Sequence, residues 1–493
     1  MKKILAVLLA LLTLIPLLVA CQDTTEKPAV TTVGQTKDPD ATGSEDGQTT
    51  EEVSGVPQTD YKEREFKIAA PEPWGNTYFD RDEMTNDTVN DAIYTRNSEL
   101  ESFFNITISS VNLGWTSEQA IVFKPYLLAG EDKIDTIGVA TYQSGKPFIT
   151  ENLILPWNDV PHIDITKSWW NKSCTDSLAV LGNYYYLSGD LNYRSLELAM
   201  GVFFNKDVAE INKAVVGDPY QTVHDGKWTI DTFNNIVKNM SRDNGDGVWD
   251  GQDTYGHLQY YYSLEAWVYG SNYHTVRMTD KGPEFNYYSE KLQNILNQVY
   301  NMLYVSRTSY MGAGDGGGVD WATEIFFDNR ALFFTASIEF APAWRDQETD
   351  FGILPNPKYD EKQKEYTSYS DQWGLVMALP VTATNLERTG AILEEMCYRS
   401  KKTVRVAIYD KTLLGKGIRD DESEEMLDIL FKGIIYDTGI TFCTDLSTLP
   451  VRDLIANRNS GLSSWWGAKQ NPIKKNFQEL FDHVKLQLED SAA

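Results

Sequence analysis

Histidine and cysteine are scarce in this chain, with five histidines scattered singly and four cysteines among 493 residues. Zinc sites, redox dithiols and histidine-based triads need such residues at close spacing, and no C-x-x-C, H-E-x-x-H or G-x-S-x-G occurs. A P-loop is also absent. The run GAGDGGG places Gly312, Gly314 and Gly317 on the letters of G-x-G-x-x-G, but it follows a helical pattern without a βαβ opening, so it reads as a surface loop. Basic residues are few, 44 Lys and Arg against 71 Asp and Glu, giving a net charge of −27. With no basic stripe anywhere, nucleic-acid binding is excluded as a partner class. Beyond residue 20 there is no second long apolar run, which predicts a globular body without a membrane span.

What is present starts with MKKILAVLLALLTLIPLLVACQ. Lys2 and Lys3 form a short basic region, and Ile4 to Ala20 is uncharged and mostly apolar. Leu18, Val19, Ala20 and Cys21 fit the lipobox L-[AV]-[AG]-C. The expectation is a signal peptide over 1–20, cleavage before Cys21, and lipidation of that cysteine at the extracellular face of a bacterial cytoplasmic membrane. An uncleaved spanning anchor is the alternative. Loss of Lys2 and Lys3 takes the net charge from −27 to −29. Such a surface stands off anionic lipid and leaves the acyl chains to hold the protein. Residues 22–60 contain no Phe, Tyr or Trp and are rich in Thr, Asp, Glu, Gly and Pro, which predicts a flexible tether over 21–60. Cys174, Cys397 and Cys443 remain, and three cysteines cannot all pair.

From residue 61 the pattern alternates. Glu65–Ala70 reads as a strand, Asn86–Asn105 as a helix with a Thr88/Asp91 capping box, and Ile106–Val111 as a strand. An amphipathic stretch near Ser117–Ala129 leads to a buried-type strand at Asp135–Ala140. This order predicts parallel βαβ units. Tyr184–Leu191 reads as a polar-aromatic strand, with helices near Thr229–Met240 and Ser289–Tyr304. Short buried strands are expected at Ala331–Thr335 and Gly374–Leu379. The last hundred residues read as helical.

Two features suggest chemistry. In MSRDNGDGVWDGQDTYG, residues Asn244, Asp246, Asp250 and Asp253 fall on alternating positions of a calcium loop around Gly247. Arg242 occupies the first ligand position and the last is a short Asp, so a metal-free acidic loop is the competing reading, and no other cofactor is indicated. The second feature is aromatic. Trp74, Trp115, Trp157, Trp267, Trp344 and Trp373 sit mostly near element ends among carboxylates and amides, the mixture that stacks on sugar rings and bonds their hydroxyls. Carboxylate pairs alone are too abundant here to indicate a glycosidase.

Five runs occur in a telling order: TNDTVNDAIYTRNSELESFFNITI, YYYLSGDLNYRSLELAMGVFFNKDVAEI, the acidic loop, IFFDNRALFFTASIEFAPAW, and DFGILPNPKYD followed by YTSYSDQWGLVMALP. In this order they resemble the family 1 extracellular solute-binding proteins, sugar-type receptors of ABC importers related to maltodextrin-binding proteins. The resemblance spans about 65–490. It implies an α/β, two-lobe periplasmic-binding-protein-like type II fold with hinge-crossing strands, lobe 1 over 61–186 and 378–437, and lobe 2 over 187–377 and 438–493. It also implies a monomer that binds a carbohydrate between the lobes and delivers it to ABC permease subunits without catalysis. Carried onto this sequence, the ligand positions are Trp74, Tyr142, Gln143, Asp190, Trp267, Glu339, Trp344, Asp371 and Trp373. A secreted glycosidase, or a receptor of the same fold for a non-sugar ligand or a sensor kinase, are the rival readings.

Overall fold

The helix Thr88–Phe104 shows how local sequence sets element ends here. It begins where the Asp87 side chain accepts from the Val89 and Asn90 amides, and it ends at Asn105, which takes a left-handed φ of 48°. The predicted capping box is therefore displaced: Asp87 is the cap, and Asp91 instead accepts from the Thr85 amide at 2.8 Å. In this computed structural model, residues 52–492 are described apart from 73, 115–117, 129–133, 142–143, 313–318, 345, 372, 414–420 and 444–448. The leader, Cys21 and most of the tether thus lie outside the described residues, as do Trp115, Gly314 and Gly317.

The first sheet has the order Ile106–Leu113, Arg64–Pro71, Thr136–Ala140, Leu375–Pro380, Ile154–Leu155. Its first three strands are parallel, and Leu375–Pro380 returns antiparallel to Thr136–Ala140. Thr136–Ala140 is buried along its whole length, as a strand covered on both faces must be. The second sheet runs Phe351–Leu354, Met200–Asn205, Ala331–Ser337, Tyr255–Gln259, Ser309–Tyr310. Ala331–Ser337, Tyr255–Gln259 and Ser309–Tyr310 are parallel, and Met200–Asn205 is antiparallel to both its neighbours. These two sheets with helices around them form the predicted two-lobe α/β fold.

The chain passes between the sheets near 187–199, 370–375 and 434–437. Tyr184–Leu191, expected as a strand, makes isolated bridges instead: Leu187 pairs Met377, and Gly189 pairs Trp170. Gly189 leaves no room for a side chain at its bridge. A Cβ on it would lie 2.5 Å from the Cys397 sulfur and 2.6 Å from the Trp169 carbonyl. Ser368–Tyr369 pairs Ile434–Ile435 in parallel as a small crossing sheet, and Ala199 bridges Ser370. Arg96, fully buried on the first helix, donates to the carbonyls of Phe79 and Leu191, tying helix to crossing.

Three expected limits shift. Leu375–Pro380 belongs wholly to the first sheet, so a lobe boundary at 377/378 would cut a strand. The helix Asp421–Lys432, expected in lobe 1, packs on Phe351–Leu354 of the second sheet. Residues 52–60, expected as tether, lie against the body: Val56 is buried, and Ser54 donates to Glu395. The C-terminal helix Leu462–Ala492 touches both lobes, with Lys146 on Glu479 at 2.8 Å and further packing on Gly282–Phe285. Among the described residues, no helix is long and apolar enough to cross a membrane.

Candidate ligand cleft between the lobes

Ligands of open α/β sheets meet the segments that follow the carboxyl ends of parallel strands. In the first lobe, Arg64–Pro71 ends just before Trp74 and the single helical turn Gly75–Tyr78. In the second, Ala331–Ser337 leads into the helical turns Ile338–Trp344, and Tyr255–Gln259 leads through Tyr260 into Tyr261–Ser263. The crossings at 190–199 and 370–375 pass between these ends.

Here Trp74 and Trp373 meet edge to face, their ring centroids 6.2 Å apart. Arg194, from the first crossing, lies 5.4 Å from the Trp74 ring and 5.6 Å from that of Tyr78. Its Nη1 donates to the Tyr78 hydroxyl and to Glu339 Oε2, each at 3.0 Å. Tyr78 in turn donates to Glu197 Oε2 at 3.1 Å, and Ser337 donates to the other Glu339 oxygen at 3.1 Å. Burial alone would lower the Arg194 pKa, but Tyr78, Glu339 and Glu197 outweigh it and hold the guanidinium protonated. One cation thus links residues that follow strands of the two lobes.

Asp371 turns the second crossing: its Oδ1 accepts from the Trp373 amide at 3.1 Å. Burial pushes its carboxyl up to about 6, with Arg452 opposing the shift. Arg452 is itself buried on Glu265, Nε to Oε2 at 2.8 Å, and lies 5.1 Å from each of the Tyr261 and Tyr262 rings. Tyr260 stands beside Asp371 and Ser337, and burial raises its hydroxyl pKa well above the ordinary value. Flat rings, paired carboxylates and a fixed guanidinium suit a polyhydroxylated ligand with apolar C–H faces.

Of the sequence-derived positions, Trp74, Glu339, Asp371 and Trp373 are brought together. Tyr142 and Gln143 lie outside the described residues. Asp190 is elsewhere, buried on Arg405 at 3.2 Å, and burial pushes its carboxyl up to about 6. Trp267 and Trp344 are corrections. Trp267 is 3 % exposed, donates to Gln259 at 2.8 Å, and packs on Phe233 and His257 inside the second lobe. Trp344 is 4 % exposed among Phe203, Phe326, Phe327, Phe334, Phe340 and Phe351, because the turn that carries Glu339 outward brings Trp344 back onto the sheet.

The acidic loop spends its oxygens on its own backbone. Asp253 accepts from the amides of Asn244 and Asp250 at 2.8 and 2.7 Å, while Asn244 and Asp246 accept from Asp246 and Val248 at 3.0 and 2.7 Å. Asp250 accepts from Gln252 at 2.8 Å. Among the described residues, no group of three or more His, Cys, Asp or Glu side chains is placed to hold a metal ion. The expected set Asn244, Asp246, Asp250 and Asp253 therefore does not converge as a cage.

Arg194, Tyr78, Tyr260 and Arg452 were not anticipated. Signals existed for some of them: Arg194 is a lone cation in a polar-aromatic run of an acidic chain, and Tyr78 follows Trp74 by four residues. Tyr260 to Tyr262 form a triplet directly after a strand.

No protein-family model and no curated protein sequence matches this chain. Solved structures of the same fold do. The galacto-N-biose/lacto-N-biose I-binding protein of the ABC transporter from Bifidobacterium longum, with lacto-N-biose, is 12% identical at a TM-score of 0.53 over 87% of this chain and 98% of that one. A sugar transporter protein from Rhizobium etli in an open conformation is 13% identical at 0.53, over 85% and 99%. The GacH receptor of Streptomyces glaucescens, solved unliganded and with acarbose, is 15% identical at 0.51, over 84% and 99%. At these identities the likeness is one of fold: the two-lobe α/β architecture of solute-binding receptors.

Proposed function

We propose that this chain is a lipid-anchored extracellular receptor that holds a carbohydrate, most simply an oligosaccharide, between its lobes and hands it to the permease of an ABC importer. The observation that carries this reading is the set Trp74, Trp373, Arg194 and Glu339, in which Trp373 meets Trp74 edge to face, Trp74 covers Arg194, and Arg194 pairs with Glu339 of the other lobe. A ligand that reaches rings and charges from both sides favours the closed arrangement, because only there are all its contacts made. The carboxylates are paired with arginines or hydrogen-bonded, an arrangement suited to binding rather than to nucleophilic attack. The receptors named above bind sugars on this fold, which supports the same use here.

Calorimetry of the full chain against an oligosaccharide panel, with chromatography of the recovered sugars, tests this. A receptor gives a binding isotherm and unchanged sugar. Shortened or hydrolysed products would replace the reading with a glycosidase, and binding of a non-sugar solute alone would replace the ligand class. The anchor has its own test: Cys21→Ala should release the protein to the medium or leave it unprocessed, and unchanged membrane fractionation would refute lipidation.

A further inference from the structure

The second lobe contains a cavity of about 770 Å³ that the cleft residues do not account for. It lies along the edge strand Ser309–Tyr310. Tyr255 and Tyr310 stack on each other there at 4.8 Å and 18°, and Trp249 lies 5.7 Å from Tyr255. Tyr261 and Tyr262 form the side toward the cleft, since both rings rest on Arg452, whose charge faces Asp371. Tyr304 closes the far side, with Arg458 5.5 Å from its ring.

Two arginines line this cavity, Arg307 and Arg458. Both side chains are exposed, both backbones are left-handed, with φ of 56° and 49°, and neither has a carboxylate in ion-pair range among the described residues. In a chain with 71 acidic and 44 basic residues, two such guanidiniums on one aromatic cavity are unexpected. One carboxylate, Asp250, shares the lining, and one of its oxygens accepts from the Gln252 amide at 2.8 Å. Among the described residues of the lining the balance is thus positive, where the protein as a whole is strongly negative. Guanidinium forks bind carboxylate and sulfate oxygens in pairs, and aromatic faces hold the attached ring.

We propose that this cavity extends the ligand site and selects an anionic saccharide, one bearing uronate or sulfate groups, with Arg307 and Arg458 reading the charge and the tyrosines stacking on its rings. The proposal rests on the receptor reading above. It assigns the cleft at Trp74 and Trp373 to one part of the glycan and the cavity to its charged part.

The test is calorimetry of the full chain against three arms: oligogalacturonates, chondroitin-sulfate oligosaccharides and neutral maltooligosaccharides. The expected result is binding in one or both acidic arms at least tenfold tighter than in the neutral arm, weakened further by 0.5 M salt. Arg307→Gln with Arg458→Gln should lower acidic-arm affinity tenfold or more, and Arg307→Lys with Arg458→Lys should restore part of it. Melting curves of both variants should match the parent, since neither side chain is buried. Which acidic arm binds separates uronate from sulfate. Neutral binding as tight as acidic, or equal losses in all arms, overturns the selection and leaves the receptor reading standing. Absence of binding in every arm overturns the selection, and the receptor reading is then decided by the wider panel described above.

Discussion

Glu339 receives Arg194 Nη1 at 3.0 Å across the space between the lobes, while the same nitrogen reaches the Tyr78 hydroxyl. Its carboxylate is about one-third exposed, at 32%, whereas Arg194 is 14% exposed. Removing Glu339 therefore leaves Arg194 with Tyr78 and Glu197, and the pair itself is partly screened by solvent.

Glu339→Gln should cost less than about 1 kcal/mol of stability, as exposed pairs do. It should weaken ligand binding by roughly 1.5–3 kcal/mol, the range for hydrogen bonds involving charge. Calorimetry and denaturant melts on one preparation check both. A destabilised variant with unchanged affinity would make Glu339 a structural brace rather than a ligand contact.

The buried pair Arg452–Glu265 sets a second expectation. Both side chains are 3% exposed or less, so Arg452→Met strands a carboxylate away from water and should cost about 3–5 kcal/mol. Adding Glu265→Gln to that variant should recover much of the loss, because the uncompensated charge is gone. A double variant no more stable than Arg452→Met would show that packing on Tyr261 and Tyr262, not charge, is what Arg452 contributes.

Asp371 makes stability depend on pH in a stated direction. Burial raises its carboxyl from the ordinary value near 4 to about 6, so between those pH values the folded chain binds the extra proton. Its contribution to stability is thus full below about pH 4 and lost as pH rises through about 6, a change of roughly 3 kcal/mol. Asp371→Asn should remove that dependence: the stability of the variant relative to the parent rises between pH 4 and 7. Parallel pH profiles for the two proteins would refute the raised carboxyl.

The loop around Gly247 should be indifferent to calcium chelation. Binding stabilises by RT ln(1 + [L]/Kd), and the loop's oxygens already accept its own amides while Arg242 stands at the first ligand position. A chelator should therefore shift the melting temperature little. A large drop restored by added calcium would show that the loop rearranges to a cage.

Much of this was legible from periodicity. Strands such as Ala331–Ser337 and Leu375–Pro380 are continuous apolar runs, and residues next to their ends fall at the cleft: Glu339 after the first, Trp373 before the second, and Trp74 after Arg64–Pro71. The direction of a ring seven or eight residues past a strand is not periodic, which is why Trp344 and Trp267 lie in the core and not at the cleft. Arg194 was missed for a different reason. Its partner Glu339 lies 145 residues away, a distance no local pattern spans. The lobe limits shifted because Leu375–Pro380 and the C-terminal helices are shared by elements distant in sequence.

Trp373 and Trp344 offer the sharpest contrast within one protein. Both follow buried strands and both have carboxylates nearby in sequence, yet Trp373 is half-buried at the cleft against Trp74, and Trp344 is 4 % exposed among six phenylalanines. Trp373→Ala removes contact area that a ligand would cover, so binding should weaken by roughly 1–3 kcal/mol, as with aromatic anchors at interfaces. The free protein should melt within a few degrees of the parent. Trp344→Ala instead opens a cavity in the second lobe and should cost about 3–5 kcal/mol of stability. Measured below its lowered melting point, it should bind ligand with near-parental affinity, because no part of the ring reaches the cleft. Stability and affinity must be recorded on each variant to separate the two roles. An early-melting Trp373→Ala that binds normally would move that ring into the core, and a stable Trp344→Ala with weakened binding would return Trp344 to the ligand site.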